Sequence, residues 1–244
     1  MSPLLSSFNS TFGVLTGSSN IVKNGLVLHL DAGQSSSYPG SGTTWTDLSG
    51  NGNNGTLTNG PTYSSANGGS IVFDGVDDYI SGSTISPLPS GSSPRTIEVI
   101  CKPDINNTPQ SIFSYGIDTT AQRVNITNTS SEISLAFSGH RYGKGGLSLQ
   151  QNFNHIAFVY PINSTSSSSW LMYLNSAELT GLQTLAGSPI TMNTAPVQIF
   201  YIGSNFGIDL FYNQNIASIK IYNRALTAAE IQQNFNALRG RFGI

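Results

Sequence analysis

From residue 26 onward the chain reads as a series of short runs in which apolar residues recur at every second position. Leu26, Leu28 and Leu30 alternate with Val27, His29 and Asp31, and Ile97, Val99 and Cys101 alternate with Thr96 and Glu98. Ala217, Ile219 and Ile221 alternate with Ser218 and Lys220, which predicts a strand with its apolar residues inward and its polar residues outward. Three other runs, 156–160, 170–174 and 197–202, are apolar at nearly every position. That pattern predicts central strands covered on both faces. Gly and Asn clusters at 49–55 and 143–146 separate the runs and supply the positive φ angles of tight turns. Many short strands at this spacing predict an all-β, two-sheet antiparallel sandwich.

One helix interrupts the period-two pattern. Thr227-Ala228-Ala229-Glu230 is a capping box, in which the Thr hydroxyl accepts from the Glu230 amide and the Glu230 carboxylate accepts from the Thr227 amide. Leu226 and Ile231 occupy the positions of a hydrophobic staple, and Ile231, Phe235 and Leu238 form one apolar stripe. The prediction is a short C-terminal helix over 227–239, stopped at Gly240, with the tail to Ile244 running past it. At the other end, residues 1–24 carry Leu4, Leu5, Phe8, Phe12, Val14, Leu15 and Ile21 with no sustained period. This segment is expected to be an arm that lies on a neighbouring chain; the alternative is a loose terminus.

The 244 residues, 38% of them hydrophobic, are enough for one substantial core, placed at 25–244. Only 9% of residues are charged, against about 25% in an average domain. With a net charge of -2 the chain offers no long-range field for nucleic acid or an anionic membrane, and neither is expected as a partner. Cys101 is the single cysteine, so no intrachain disulfide exists; sharing a face with Ile97 and Val99, it reads as a small buried hydrophobe. The N-terminus has no basic region and no continuous apolar run, so no signal peptide is expected. No stretch approaches the ~20 apolar residues of a membrane span. Synthesis in a cytoplasm without export is the expectation.

The residues that could carry chemistry are few. Glycoside hydrolysis needs two carboxyl groups about 5 to 9.5 Å apart, usually visible as alternating carboxylates on one strand. Glu98, Glu132, Glu178 and Glu230 are far apart, none has an Asp two residues away, and Glu230 is explained by its cap. No catalytic residue is assigned and a non-enzymatic chain is expected. Asp74, Asp77 and Asp78 offer carboxylates to a hard cation, but from one short stretch, which is thin for calcium's 6 to 8 oxygen ligands. The reading preferred is a turn held by side-chain-to-backbone hydrogen bonds, with no metal site and no cofactor. Trp45 is expected to pack beneath its loop, with a sugar-stacking role as the alternative, and Asp47 to accept from the amides of Ser49 and Gly50. His29, His140 and His155 have no metal-ligand spacing.

Four stretches carry a family resemblance: Gly25-Leu26-Val27-Leu28-His29-Leu30-Asp31 leading to Thr44-Trp45-Thr46-Asp47-Leu48-Ser49-Gly50, then Phe73-Asp74-Gly75-Val76-Asp77-Asp78-Tyr79, and finally Ile219-Lys220-Ile221-Tyr222-Asn223-Arg224-Ala225-Leu226. They resemble the laminin-G-like, concanavalin A-like jelly rolls, over roughly residues 25 to 235. Such domains bind surfaces and partners more often than they catalyse. The stretches 38–50 and 233–244 are also similar to laminin-G-like modules of structural proteins from tailed phages. This resemblance implies a virion component, expected to be a capsid decoration or cement protein on the outside of the head. The expected partners are further copies of itself, as a homotrimer, and the major capsid protein or another virion protein. The alternative it implies is a host-glycan lectin of a tail or head fibre, with Trp45 and the Asn-rich loops as a shallow sugar site.

Overall fold

The computed structural model describes residues 20–84, 87–103, 108–147, 149, 152–196 and 199–244. In chain order the first strands are β1 (Leu26–Asp31), β2 (Thr44–Trp45), β3 (Gly55–Thr58), β4 (Thr62–Ser64), β5 (Ser70–Val72) and β6 (Tyr79–Ser83). Next come β7 (Arg95–Cys101), β8 (Gln110–Gly116), β9 (Arg123–Asn128), β10 (Ile133–Ala136), β11 (Arg141–Lys144) and β12 (Asn154–Tyr160). The last are β13 (Leu171–Leu174), β14 (Ala177–Glu178), β15 (Gln183–Ala186), β16 (Ile199–Ile202) and β17 (Asn215–Tyr222), followed by the helix α1 (Ala228–Phe242).

These strands form the two antiparallel sheets expected. The eight-stranded sheet runs β14-β13-β12-β7-β17-β5-β4, with β1 also paired to β17. The nine-stranded sheet runs β15-β11-β10-β9-β8-β16-β6-β3-β2. Between them lies one core built from alternate residues of both, including Leu30, Ile97, Ile219, Phe113, Ile126 and Phe200. Cys101 faces this core, and burial pushes its thiol up to about 12, so it behaves as the small hydrophobe expected.

The polar-out expectation for 217–221 is corrected. Every residue from Ile216 to Tyr222 is buried, Ser218 and Lys220 included, because α1 lies on that side of the sheet. A register shift between Ile216 and Ser218 also turns Ala217 away from Ile219 and Ile221; Ala217 packs instead with Ile100, Phe153 and Phe242. The expectation for 197–202 is corrected in the opposite sense. Residues 197 and 198 lie outside the described residues; over 199–202, β16 is central in its sheet, yet its outer face is only partly covered, by Phe206 on Tyr201, and Ile199 is 47% exposed. Gly143 lies within β11 rather than in a turn, where a Cβ would come within 2.3 Å of the Ile133 carbonyl oxygen.

The helix begins as expected. Thr227 caps it with both capping-box bonds present, and Leu226 and Ile231 meet in one buried cluster. Its end is corrected: α1 passes through Gly240 to Phe242, and Gly243 in the left-handed region (φ 69°) terminates it. Phe242 packs on Phe153 with ring centroids 4.8 Å apart, and Arg241 reaches Asp31 at 2.6 Å. These contacts outweigh the roughly 1 kcal/mol that a helical glycine costs. Most of the expected arm, residues 1–19, lies outside the described residues. Residues 20–24 run beside α1 of their own chain: the Val22 amide donates to Asn234 Oδ1 at 2.7 Å and Gln233 donates to the Asn20 carbonyl at 2.9 Å.

Candidate functional site

The two outer faces of the sandwich differ in kind. On the eight-stranded sheet, α1 closes over a set of polar side chains. Glu98 is wholly buried and accepts from Asn234 Nδ2 of the helix at 2.9 Å. His155 Nε2 stands 3.6 Å from its other oxygen and Lys220 Nζ 3.7 Å from the first, both also buried. Burial pushes the Glu98 carboxyl up, but the neighbouring His155 and the charge of Lys220 outweigh it and hold the carboxyl below its ordinary value. Burial likewise lowers Lys220, with Glu98 opposing it. Asn234 also donates to Tyr222 Oη at 3.0 Å, and that hydroxyl donates to the Val22 carbonyl at 3.1 Å. The set pins helix, sheet and residue 22 together.

Beside it, between β1 and α1, is a cavity of about 590 Å³ lined by His29, Asp31, Lys23, Gln34, Leu238 and Arg241 among others. Arg241 is committed, to Asp31 at 2.6 Å and to the Gly69 carbonyl at 2.8 Å. Burial pushes the Asp31 carboxyl up, but the Arg241 charge and hydrogen bond carry it below its ordinary value. Both ring nitrogens of His29 are buried without a partner; burial first, then Lys220, lowers its pKa to about 3, so the ring is neutral.

The outer face of the nine-stranded sheet carries a row of residues directly opposite one another across seven strands. It runs Thr56, Ser81, Tyr201, Ser114, Asn125, Ala136 and Arg141. Half of it is covered by the loop after β16: Ser111 and Ser114 donate to the Ser204 carbonyl at 2.9 and 3.0 Å, and Asn125 Nδ2 donates to Asn205 Oδ1 at 3.1 Å. The other half is open. There Thr56, Tyr79, Ser81, Ser83, Ile199 and Tyr201 border a shallow groove of about 230 Å³. Of its lining residues only Tyr79 falls in a stretch singled out in the sequence; the alternation of Tyr79, Ser81 and Ser83 along the strand could have marked the rest of β6, but the pairing with β16 is non-local.

The residues singled out in the sequence fall elsewhere. Trp45 is fully buried in the core, so the sugar-stacking alternative is overturned. The Asn-rich loop is also spent internally: Asn53 Nδ2 donates to the Val27 carbonyl at 2.9 Å and Asn54 Oδ1 accepts from the Asp47 amide at 2.8 Å. Asp47 Oδ1 accepts from the Ser49 amide at 2.9 Å as expected, but its further amide donors are His29 at 2.8 Å and Asn53 at 3.0 Å, not Gly50. The ligand atoms of Asp74, Asp77 and Asp78 lie within 4.8 Å of one another, the first two exposed. Asp74 Oδ1 accepts from the amides of Val76 and Asp77, and Asp78 Oδ2 accepts from the Asp74 amide at 3.1 Å, the local bonds of a turn. Burial, then Asp74, raises the Asp78 pKa. His29 and His155 are buried on strands far from His140, which bonds to Ser188 through Nδ1. The four glutamates have separate partners: Glu98 under α1, Glu132 with Ser134 and Arg141, Glu178 with Tyr173, and Glu230 with Arg224 and its cap.

The sequence over residues 74–232 matches a family model, laminin G in type, described as the concanavalin A-like lectin/glucanases superfamily. The chain belongs to this family. No curated protein matches the chain in sequence. Among solved structures, this laminin-G-like chain is similar to domain 4 of AbnA, a GH43 extracellular arabinanase from Geobacillus stearothermophilus, in complex with arabinotriose. The TM-score is 0.58 at 18% identity, covering 87% of this chain and 98% of that one. It is also similar to Trypanosoma rangeli sialidase (TM-score 0.59, 15% identity, 88% of this chain and 33% of that). A third likeness is to the receptor binding domain of a botulinum neurotoxin C/D mosaic serotype (TM-score 0.60, 10% identity, 88% and 52%). The chain thus spans about a third of the sialidase and about half of the toxin domain. At these identities the likeness is one of fold. Among the described residues no helix is long and apolar enough to cross a membrane.

Proposed function

We propose that this laminin-G-like chain is a non-enzymatic binding module carried on a tailed-phage virion, as a decoration or cement protein on the outside of the head. The observation that carries the reading is the open half of the nine-stranded sheet: a broad, uncharged face bordered by hydroxyls and two tyrosines, suited to adhesion. The commitment of each glutamate to a different partner supports the absence of glycosidase chemistry. The virion setting rests on the wording of residues 38–50 and 233–244, and the expected assembly is a homotrimer on the major capsid protein, because capsid lattices offer local three-fold sites. Counting copies of the chain per purified particle tests this. A head decoration protein is present on the order of hundreds of times, a tail component on the order of tens. Release of reducing sugar from a polysaccharide panel, abolished by substitution of one Glu, refutes the non-enzymatic part.

A second reading, a glycan-binding lectin, is favoured by Tyr79 and Tyr201 on that same open face and by the similarity to the AbnA domain that was solved with arabinotriose. It places the sugar on the outer sheet face and not at Trp45.

A further inference from the structure

The open groove is built by β3, β6 and β16 side by side. Thr56, Ser81 and Tyr201 stand opposite one another across these three strands, and Tyr79, Ser83 and Ile199 take the neighbouring positions on the same face. Five hydroxyls line it, those of Thr56, Tyr79, Ser81, Ser83 and Tyr201, and none has a protein partner among the described residues. Elsewhere on this sheet hydroxyls are spent: Ser111 and Ser114 on the Ser204 carbonyl, Thr127 on Ser134. The two phenol rings are 6.1 Å apart at 49°, and Phe206 packs edge-on to Tyr201 at 5.9 Å. Gly207 (φ +71°) lets the loop lie against both rings; a Cβ there would come within 3.2 Å of Tyr201 and 3.4 Å of Tyr79. The rings are therefore held in place before any ligand arrives. Among the described residues no charged side chain lines the groove.

We infer that this groove binds an uncharged glycan, one sugar ring lying against Tyr201 and Tyr79 while Thr56, Ser81 and Ser83 exchange hydrogen bonds with its hydroxyls. The inference rests on the lectin reading above and narrows its ligand. A hydroxyl both donates and accepts, which is what another hydroxyl offers in return. Sialate or sulfate needs a cation such as arginine, and the groove holds none. At about 230 Å³ the groove is smaller than the ~300 to 1,000 Å³ of pockets that enclose a drug-sized ligand, so it holds one sugar unit of a chain and leaves the rest in solvent. Affinity per site is correspondingly low, and repeated copies on one particle raise it by avidity.

The test is retention of the full chain on an array of neutral oligosaccharides (arabinan, glucan, galactan and mannan) beside sialylated and sulfated ones, with titration of the best binder. Retention on neutral glycans is expected, with Tyr201→Ala and Tyr79→Ala each weakening it by about tenfold or more. Ser81→Arg, which blocks the groove without entering the core, is expected to abolish it and serves if a tyrosine variant fails to fold. Preference for the sialylated or sulfated glycans overturns the inference. So does neutral binding that survives all three variants, which leaves the lectin reading standing at another place. Absence of binding to every glycan on the array overturns both.

Discussion

The outer faces of the two sheets begin from the same sequence pattern and end in opposite environments. On β7 and β17 the polar alternates Thr96, Glu98, Ser218 and Lys220 are all buried, Thr96 against residues 224 and 226 that lead into α1 and Glu98 against Asn234 of α1 itself. On β3, β6 and β16 the alternates Thr56, Ser81, Ser83 and Tyr201 remain partly or wholly exposed. The difference lies in what comes over the sheet. A strand's period of two says only that its faces differ; whether the polar face is wet depends on an element elsewhere in the chain. The residue types follow that outcome. Under the helix stand ionisable groups, acid and base, 3.6 to 3.7 Å from one another, and on the open face stand neutral hydroxyls that no protein group among the described residues satisfies.

The largest test of this contrast is to break the buried set. Glu98→Ala leaves Lys220 without its anion and should cost about 3 to 5 kcal/mol in urea denaturation. Glu98→Leu combined with Lys220→Met should recover most of the loss, because the cost is that of an isolated charge. A single-variant loss below about 1 kcal/mol would mean that water reaches this face.

Removing the cover should cost nearly as much. Phe235 packs 5.8 Å from the His155 ring on the side of α1 that meets the sheet. Phe235→Ala should lose about 3 to 5 kcal/mol in thermal or chemical unfolding. A small effect would show that α1 is not what keeps the face dry.

Acid separates the faces without any mutation. The pKa of His29 is lowered to about 3 in the fold, so the unfolded chain takes up that proton first. Stability from this group is whole above about pH 6.5 and is lost as pH falls toward 3, a deficit on the order of 2 to 3 kcal/mol by pH 4.5. Asp31, and Glu230, which its bond to Arg224 holds down at about 2, add losses of the same sign at lower pH. Urea midpoints measured from pH 7 to 4.5 should fall, and His29→Gln should flatten that fall. A variant with an unchanged slope would remove His29 as the cause.

The smallest effect belongs to the open face. Ser81→Ala and Thr56→Val should each change stability by no more than about 0.5 kcal/mol, since neither hydroxyl has a partner to lose among the described residues. A larger change in melting temperature would show that this face is structural after all.

The sandwich and the start of α1 were legible because their signals are local. Alternation, turn residues and Thr227 with Glu230 are each read within a few positions. What escaped is non-local. Glu98, His155 and Lys220 meet because β7 lies between β12 and β17, a neighbour relation that periodicity does not carry. Gly240 reads as a stop until Phe242 is seen on Phe153 and Arg241 on Asp31. Trp45 beside Asn and Asp reads equally as a sugar platform or as core, and only the packing of the second sheet against it decides. The groove was hidden for the same reason, its tyrosines coming from strands 120 residues apart in the chain and joined by one register.

β17 is made after every other strand, yet it occupies the centre of its sheet, paired to β7 on one side and to β1 and β5 on the other. During synthesis, therefore, β1 and β7 emerge with no strand between them and present unpaired edges until residues 215–222 have left the ribosome. With its last strand central, folding is expected to be a closing event with high contact order, completed only when β17 is available. A chain stalled before residue 215 is the species most exposed to edge-to-edge aggregation, and the one that a chaperone would have to hold.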